Sequence, residues 1–356
     1  MARRIRRPLG PLDHRSQAIL RAVIEEYVTT AQPVGSLALV ERYGLGVSSA
    51  TVRNILAELE TAGLLTHPHT SAGRMPTDAG YRFYVESIVD AAPLPAVEQL
   101  MIRHQFGQVE FASEHWFRLA ATTLAGLTRS AGLATPAKPS AAHIRRVDLV
   151  AVNERMASLI LVLREGAIKQ GVVNLDEADA VDQPTLNRAA ALLNDRILDA
   201  TAGRAEQLVA RLSVVDPDQR LARRVGERIV SILRDYDAAV VEEVFSDGLL
   251  NVMEAPEFAQ SDKLRQVFTA LENRVYLGEL VGSVAESGRI HVVIGAENPR
   301  IEMHGVSLVL APYGRPGRAL GVVGVLGPTR MSYPHAIGTV RFVSGLMNEL
   351  VDHLYA

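Results

Sequence analysis

The stretch "VSSATVRNILAELETAGLLTHPHTSAGRMPT", residues 47–77, changes character half-way along. Its first half has helical spacing: at about 100° per residue, Val52, Ile55, Leu56 and Leu59 fall on one face. Ser48 or Ser49 supplies the N-cap and Gly63 the stop. The opposite face then carries Ala50, Arg53, Asn54 and Ala57, with Thr51 on the flank. The second half, "LLT", "HPHTSAG" and "RMP", has no apolar period and reads as two short strands joined by a turn-rich loop.

Small residues around one Arg and one Asn are what a helix needs to approach a duplex closely. Arg reads guanine and Asn reads adenine through paired hydrogen bonds. The free N–H groups at the helix start suit a phosphate. Ser48, Ser49 and Thr51 are therefore expected phosphate contacts, and Arg53 and Asn54 expected base readers. The ribbon reads as a wing, with His69, Ser71 and Arg74 as DNA contacts and Arg74 as the cation able to enter a minor groove. An ordinary amphipathic helix beside a surface hairpin has the same local pattern, so the neighbouring elements matter. Ile19, Leu20, Val23, Ile24 and Tyr27 make a helix of 12–30, "QPVGS" ends it, and a short helix over 36–43 leads through "GLG" into the capped helix. Helix, turn, capped helix and wing in that order favour a DNA-reading module. "TDAGYRFYVESIVD" follows as another helix, with Thr77 as its cap.

Bulk charge does not argue for nucleic acid, because the chain of 356 residues has a formal net charge of −3. Residues 1–92 hold 10 Arg against 9 Asp plus Glu, so affinity has to come from clustered arginines. Four of these, Arg3, Arg4, Arg6 and Arg7, form a basic arm that could solubilise the chain or touch phosphate. Only Lys138, Lys169 and Lys263 are lysines, so nearly every cation is a guanidinium. Cysteine is absent, which excludes disulfides, thiolate metal sites and thiol nucleophiles and fits a reducing cytoplasm. No run is long and apolar enough for a membrane span, and "MARRIRRPLG" lacks the apolar stretch of a signal peptide after it.

Beyond the linker "AAPLPA" (91–96) a helical stretch runs to about Leu133, with Trp116, Phe117, Leu119 and Leu124 as core. Three strand-like runs follow, 144–152, 156–164 and 167–175, as an antiparallel meander. Residues 185–236 read as helical, 240–260 are ambiguous, and 262–286 are helical again. Strands return in "RIHVVIG", "VSLVLAPY" and "ALGVVGVLG". In the last helix, from about Pro334, Val340, Val343, Met347, Leu350 and Leu354 form an apolar seam for a sheet or for a partner helix. Strands on both sides of a helical middle point to one α/β domain interrupted by an insertion.

The search for catalytic chemistry finds no GxxxxGK[ST], HExxH or GxSxG. "GVVGVLG" (321–327) sits inside a strand that ends at Pro328, not at a strand-to-helix turn, so it is no dinucleotide loop. His67 and His69 are the only HxH pair and lack neighbouring ligands. No enzyme activity, cofactor or metal is expected.

Residues 48–85, "SSATVRNILAELETAGLLTHPHTSAGRMPTDAGYRFYV", resemble the N-terminal signature of the heat-inducible transcription repressor HrcA family. "VSLVLAPYG" (306–314) and "ALGVVGVLGPTRMSYPHAIGTVRFV" (319–343) are similar to its C-terminal signature. The local departure is Ile55–Leu56, where members more often carry an acidic residue and Met. The resemblance implies an α+β multidomain fold: a winged helix-turn-helix DNA-binding domain at 1–92 and a GAF-like α/β domain at 97–199 and 266–356. A mostly helical dimerising domain at 200–265 would interrupt the latter. It also implies a cytoplasmic homodimer that binds double-stranded DNA at an inverted-repeat operator, the CIRCE element, and represses chaperone operons. A GroE-type chaperonin would keep it active, and heat would relieve repression. The competing expectation is a regulator whose GAF-like domain senses a small molecule through polar groups of "GAENPRIEMHG" (295–305).

Overall fold

The computed structural model describes residues 12–68, 73–88, 93–109, 113–139, 141–153, 155–164, 166–175, 182–238, 244–258, 274–315 and 319–354. The basic arm, His69 and Ser71 lie outside these residues. The chain is a mixed α+β protein built around three hydrophobic clusters.

The N-terminal part consists of α1 (His14–Thr30), α2 (Ser36–Tyr43), α3 (Ser49–Thr61), a hairpin of β1 (Leu65–Thr66) and β2 (Met75–Pro76), and α4 (Asp78–Ile88). Asp13 caps α1, its carboxylate accepting the Ser16 N–H at 2.7 Å. Hydrogen bonds from the Ser16 hydroxyl and the Ser16 N–H hold the exposed carboxyl below the usual range. Ile19, Leu20, Val23 and Ile24 of α1 meet Leu39 of α2 and Val52, Leu56 and Leu59 of α3 in one core. Thr77 caps α4 by accepting the Gly80 N–H at 3.1 Å.

A second unit is organised by an antiparallel sheet in the order β8 (Phe245–Asp247), β3 (Ala131–Ala134), β11 (Ala319–Pro328), β10 (Val306–Arg315), β9 (His291–Ile294), with β4 (Lys138–Pro139) also on β11. On one face lie α5 (Ala96–Gly107), α6 (Ser113–Thr128) and α12 (Tyr333–Leu354). On the other lie α10 (Leu249–Met253) and α11 (Arg274–Ser287). Burial on both faces explains why "VSLVLAPY" and "ALGVVGVLG" are unbroken apolar runs without alternation. The seam of α12 is spent in this core: Val340, Val343, Met347 and Leu350 are buried against β10, β11 and α6.

The third unit holds β5 (Ile144–Asn153), β6 (Met156–Leu163) and β7 (Ile168–Asn174), paired antiparallel in that order. Ala157, Leu159, Leu161 and Leu163 face α7 (Gln183–Ile197), α8 (Ala202–Val209) and α9 (Pro217–Ala238). Here one sheet face is covered and the other open, so β6 alternates between buried and half-exposed residues.

This partition corrects the expected boundaries of 97–199 and 200–265. The strands over 144–174 share one core with the helices as far as Tyr236, and none pairs with β9–β11. What reaches the C-terminal strands is β3, inside the stretch read as helix to Leu133. The helix stops at Thr128, Arg129 turns left-handed at φ 50°, and Ala131–Ala134 extends along β11. "AGLA" is too small and uniform to show a period of two, and no pattern within a strand names its partner. Of the helix expected over 262–286, α11 forms from Arg274; residues 259–273 lie outside the description.

Candidate nucleic-acid interface

Helix α3 presents the face anticipated from its spacing. Val52, Ile55, Leu56 and Leu59 are buried, and Ala50, Arg53, Asn54 and Ala57 are exposed. Ile55 and Leu56 both pack inward, so the departure from the family pattern lies in the core and not on the outer face. Ser48 caps the helix: its Oγ accepts the Thr51 N–H at 3.1 Å and lies 3.0 Å from Thr51 Oγ1. Ser49 is half-buried, its Oγ 3.0 Å from Ser36 Oγ at the start of α2. One serine thus satisfies the helix terminus and the other joins α3 to α2, leaving Ser48 exposed and Thr51 half-buried at the positive end of the helix. Among the described residues Arg53 has no acidic partner.

Arg74 is placed differently from the outward cation expected at a wing tip. Its Nη2 lies 2.7 Å from Glu60 Oε2 at the far end of α3, and its side chain is only 22% exposed. His67 Nδ1 meets the other oxygen of Glu60. The Arg74 backbone also exchanges hydrogen bonds with Val34, 2.8 and 2.9 Å, beside the short β1–β2 ladder. Glu60 therefore ties both arms of the hairpin to α3. Fourteen residues separate Glu60 from Arg74, beyond any helical or hairpin spacing rule.

On the opposite side, Arg42 of α2 pairs with Glu26 of α1, which is nearly buried. The outer face of α3 accordingly carries Arg53 as its cation, with Glu58 exposed one turn beyond.

Several polar groups of 295–305 are engaged within the chain. Asn298 Nδ2 donates to the carbonyls of Gly295, Met303 and Val306, and its Oδ1 accepts from Tyr276 Oη at 3.2 Å. The Ala296 N–H donates to Asp78 at 2.9 Å, and Glu297 pairs with Arg82. Burial alone would raise the Glu297 carboxyl, but hydrogen bonds from Arg82 and the Ile294 N–H outweigh it and hold the pKa below the usual range. The pair's contribution is therefore fully present above the ordinary carboxylate pKa and is lost as pH falls through the depressed value. Among the described residues no three of His, Asp and Glu gather as a metal would need, and no helix is long and apolar enough to cross a membrane.

Residues 114–337 match the family model described as the HrcA protein C-terminal domain. The chain is 41% identical over 346 residues to the heat-inducible transcription repressor HrcA of Roseiflexus castenholzii, covering 97% of this chain and 96% of that one. It is 40% identical over 357 residues to that of Chloroflexus aurantiacus (97% and 95%) and 35% identical over 346 residues to one from Dehalococcoides mccartyi (97% and 97%). A crystal structure of a hypothetical protein superposes with a TM-score of 0.64 at 21% identity, over 97% of this chain and all of that one, a likeness of fold. With a matching family model over most of its length and full-length relatives at about 40% identity, the chain belongs to the heat-inducible transcription repressor HrcA family.

Proposed function

We propose that this protein represses transcription of chaperone operons by binding an inverted-repeat operator of the CIRCE type as a homodimer, and releases it on heat shock. The observation that carries the reading is the outer face of α3: an arginine with no acidic partner among the described residues, beside an asparagine and flanked by alanines, on a helix with a capped and exposed N-terminus. The short β1–β2 hairpin beside it has the place of the wing in a winged helix-turn-helix. Ser48 and Thr51 would contact phosphate, and Arg53 and Asn54 base edges; His69 and Ser71 are proposed as wing contacts. Ser49 and Arg74 act from behind, holding α3 and the hairpin. The sheet unit of β3, β4 and β8–β11 is proposed as GAF-like.

The dimer reading is supported by the open face of the β5–β7 sheet. Its cross-strand rows run Val150–Ser158–Val172, Asp148–Ile160–Gln170 and Arg146–Val162–Ile168. Val150, Val172 and Ile168 are 47, 51 and 62% exposed around half-buried Ile160 and Val162. A contiguous apolar patch of this kind on a sheet suits a second copy of itself. A two-fold pair of reading helices matches a palindromic site.

The test is footprinting of the protein on the region upstream of a chaperone operon, repeated after mild heating with and without a GroE-type chaperonin. Protection of an inverted repeat, lost on heating and recovered only with the chaperonin, is expected. Protection without symmetry, or no protection, would overturn the reading. A small-molecule sensor remains the second reading, and a metabolite that releases the DNA in the same assay would favour it.

Glu60→Gln probes the hairpin. Removing this acid takes one negative charge from beside Arg74 and His67, so non-specific DNA affinity should rise and the salt slope steepen by up to roughly 1, the value of one more neutralised phosphate. Stability should fall by about 1 kcal/mol as the partly buried pair is lost. Salt-dependent fluorescence anisotropy and thermal melting measure both.

A further inference from the structure

Helix α4 joins the reading module to the sheet unit through contacts at both of its sides. Toward α3, the Thr77 N–H donates to Leu64 O at 3.0 Å and its hydroxyl to Gly63 O at 2.7 Å. Gly80 lies so close to the Leu64 carbonyl that any side chain would overlap it. Toward the sheet, Asp78 Oδ2 accepts the Ala296 N–H, and Arg82 spans β9: Nε donates to Glu297 Oε1 at 2.7 Å and Nη2 to Val292 O at 2.6 Å. Tyr81 is buried with its ring centroid 5.6 Å from that of Tyr333. A separate tie is made by Arg330, which donates to Val28 O of α1 at 3.2 Å and pairs with Glu257.

The hydrogen bonds are directional, and they stand at two points on different helices of the module. A single tie would leave a rotation free; two fix the orientation of α3 relative to the sheet. No ligand is needed to occupy the 295–297 turn, because α4's own acid and base already fill it. Gly295 has φ +47°, and a Cβ there would lie 2.5 Å from the Asp78 carboxylate, so the turn is shaped to accept that side chain closely.

We propose that Asp78, Arg82 and Arg330 are positioning residues for operator recognition: by locking the reading module onto the sheet unit, they set the half-site spacing that the protein accepts. This rests on the reading of a homodimer on an inverted repeat. A dimer presents two reading helices at a separation fixed by everything between them, and half-site spacing follows from that geometry. If the modules hung on slack joints, each would bind its half-site at many spacings, at a lower effective concentration for the correct one. The residues touch no DNA themselves and act through the orientation of α3.

The test uses the full-length protein and three kinds of fluorescent duplex: the footprinted inverted repeat, the same repeat with about half a helical turn inserted between half-sites, and a single half-site. The wild type should bind the inserted repeat at least about tenfold more weakly than the parent. Arg82→Gln, Arg330→Gln and Gly295→Ala should bind both repeats within about threefold of each other, with the single half-site unchanged within about twofold. Gly295→Ala disturbs the same contact without removing a charge, and Arg82→Gln/Glu297→Gln should be no worse than either single change. Melting curves identify variants that unfold, and weak single-half-site binding flags the same fault. Variants that bind the single half-site normally and keep the wild-type penalty for insertion would overturn the proposal. A wild type that binds one half-site as well as two overturns instead the dimeric reading beneath it.

Discussion

Ile160→Arg should split the protein into monomers and lower its affinity for the inverted repeat by about 100- to 10,000-fold, the range lost when two linked binding modules act alone. Ile160 stands on the middle strand of β5–β7, in the row with Asp148 and Gln170, on the face away from α7 and α9. Its inward neighbours Leu159 and Leu161 hold the fold, so the substitution leaves the core of this unit untouched. In a monomer an outward arginine meets solvent and costs little. At a two-fold interface its bulk and charge are buried beside the existing Arg146–Asp148 pair, which costs several kcal/mol. Val172→Glu, in the row of Val150 and Ser158, should act in the same way. Sedimentation measures the oligomeric state, gel shift the affinity and melting the fold. A variant that stays dimeric with wild-type operator affinity would remove this face from consideration. If the wild type sediments as a monomer at micromolar concentration, the dimer reading itself falls.

What could be read from the sequence follows the range over which the signal acts. The inner stripe of α3, its Ser48 cap and the Thr77 cap of α4 are set by spacings of three or four residues, and each stands where the spacing puts it. Likewise the seam of α12 from Val340 to Leu350 is a local pattern, although its two possible uses, sheet or partner helix, were separated only by the packing. The covered sheet was visible as apolar runs bounded by glycine and proline.

Other features depend on residues far apart in the chain. The Arg82–Glu297 pair spans 215 positions, and no single-sequence pattern connects them. Glu60 carries no local sign of its role, because its partners, His67 and Arg74, sit on the two arms of a hairpin whose register depends on a turn. The division of strands between two sheets was hidden for the same reason. Two meanders of similar composition carry no mark of which strands pair, and β3, the strand that decides it, is only "AGLA".

Arg53→Ala should reduce operator affinity by roughly 5- to 150-fold, or about 1–3 kcal/mol, while binding to a scrambled duplex of equal length changes little. The asymmetry follows from where the residue sits. Arg53 is exposed in the middle of α3, flanked by Ala50 and Ala57, with no described acid to hold it back. A guanidinium there can align two N–H groups with the O6 and N7 of a guanine, a contact that a scrambled sequence does not offer. Arg53→Lys separates charge from geometry, because an ammonium keeps the attraction to phosphate and loses the fork. It should retain the non-specific affinity and salt slope of the wild type and still lose most of the selectivity. Asn54→Ala, one position on, should relax discrimination at a neighbouring base pair, with losses that add to those of Arg53→Ala if the two side chains read separate bases. Competition gel shifts against duplexes substituted one base pair at a time measure this directly. Full selectivity retained by both Arg53→Ala and Asn54→Ala would remove the outer face of α3 as the reader and move recognition to the hairpin or to the arginines before α1.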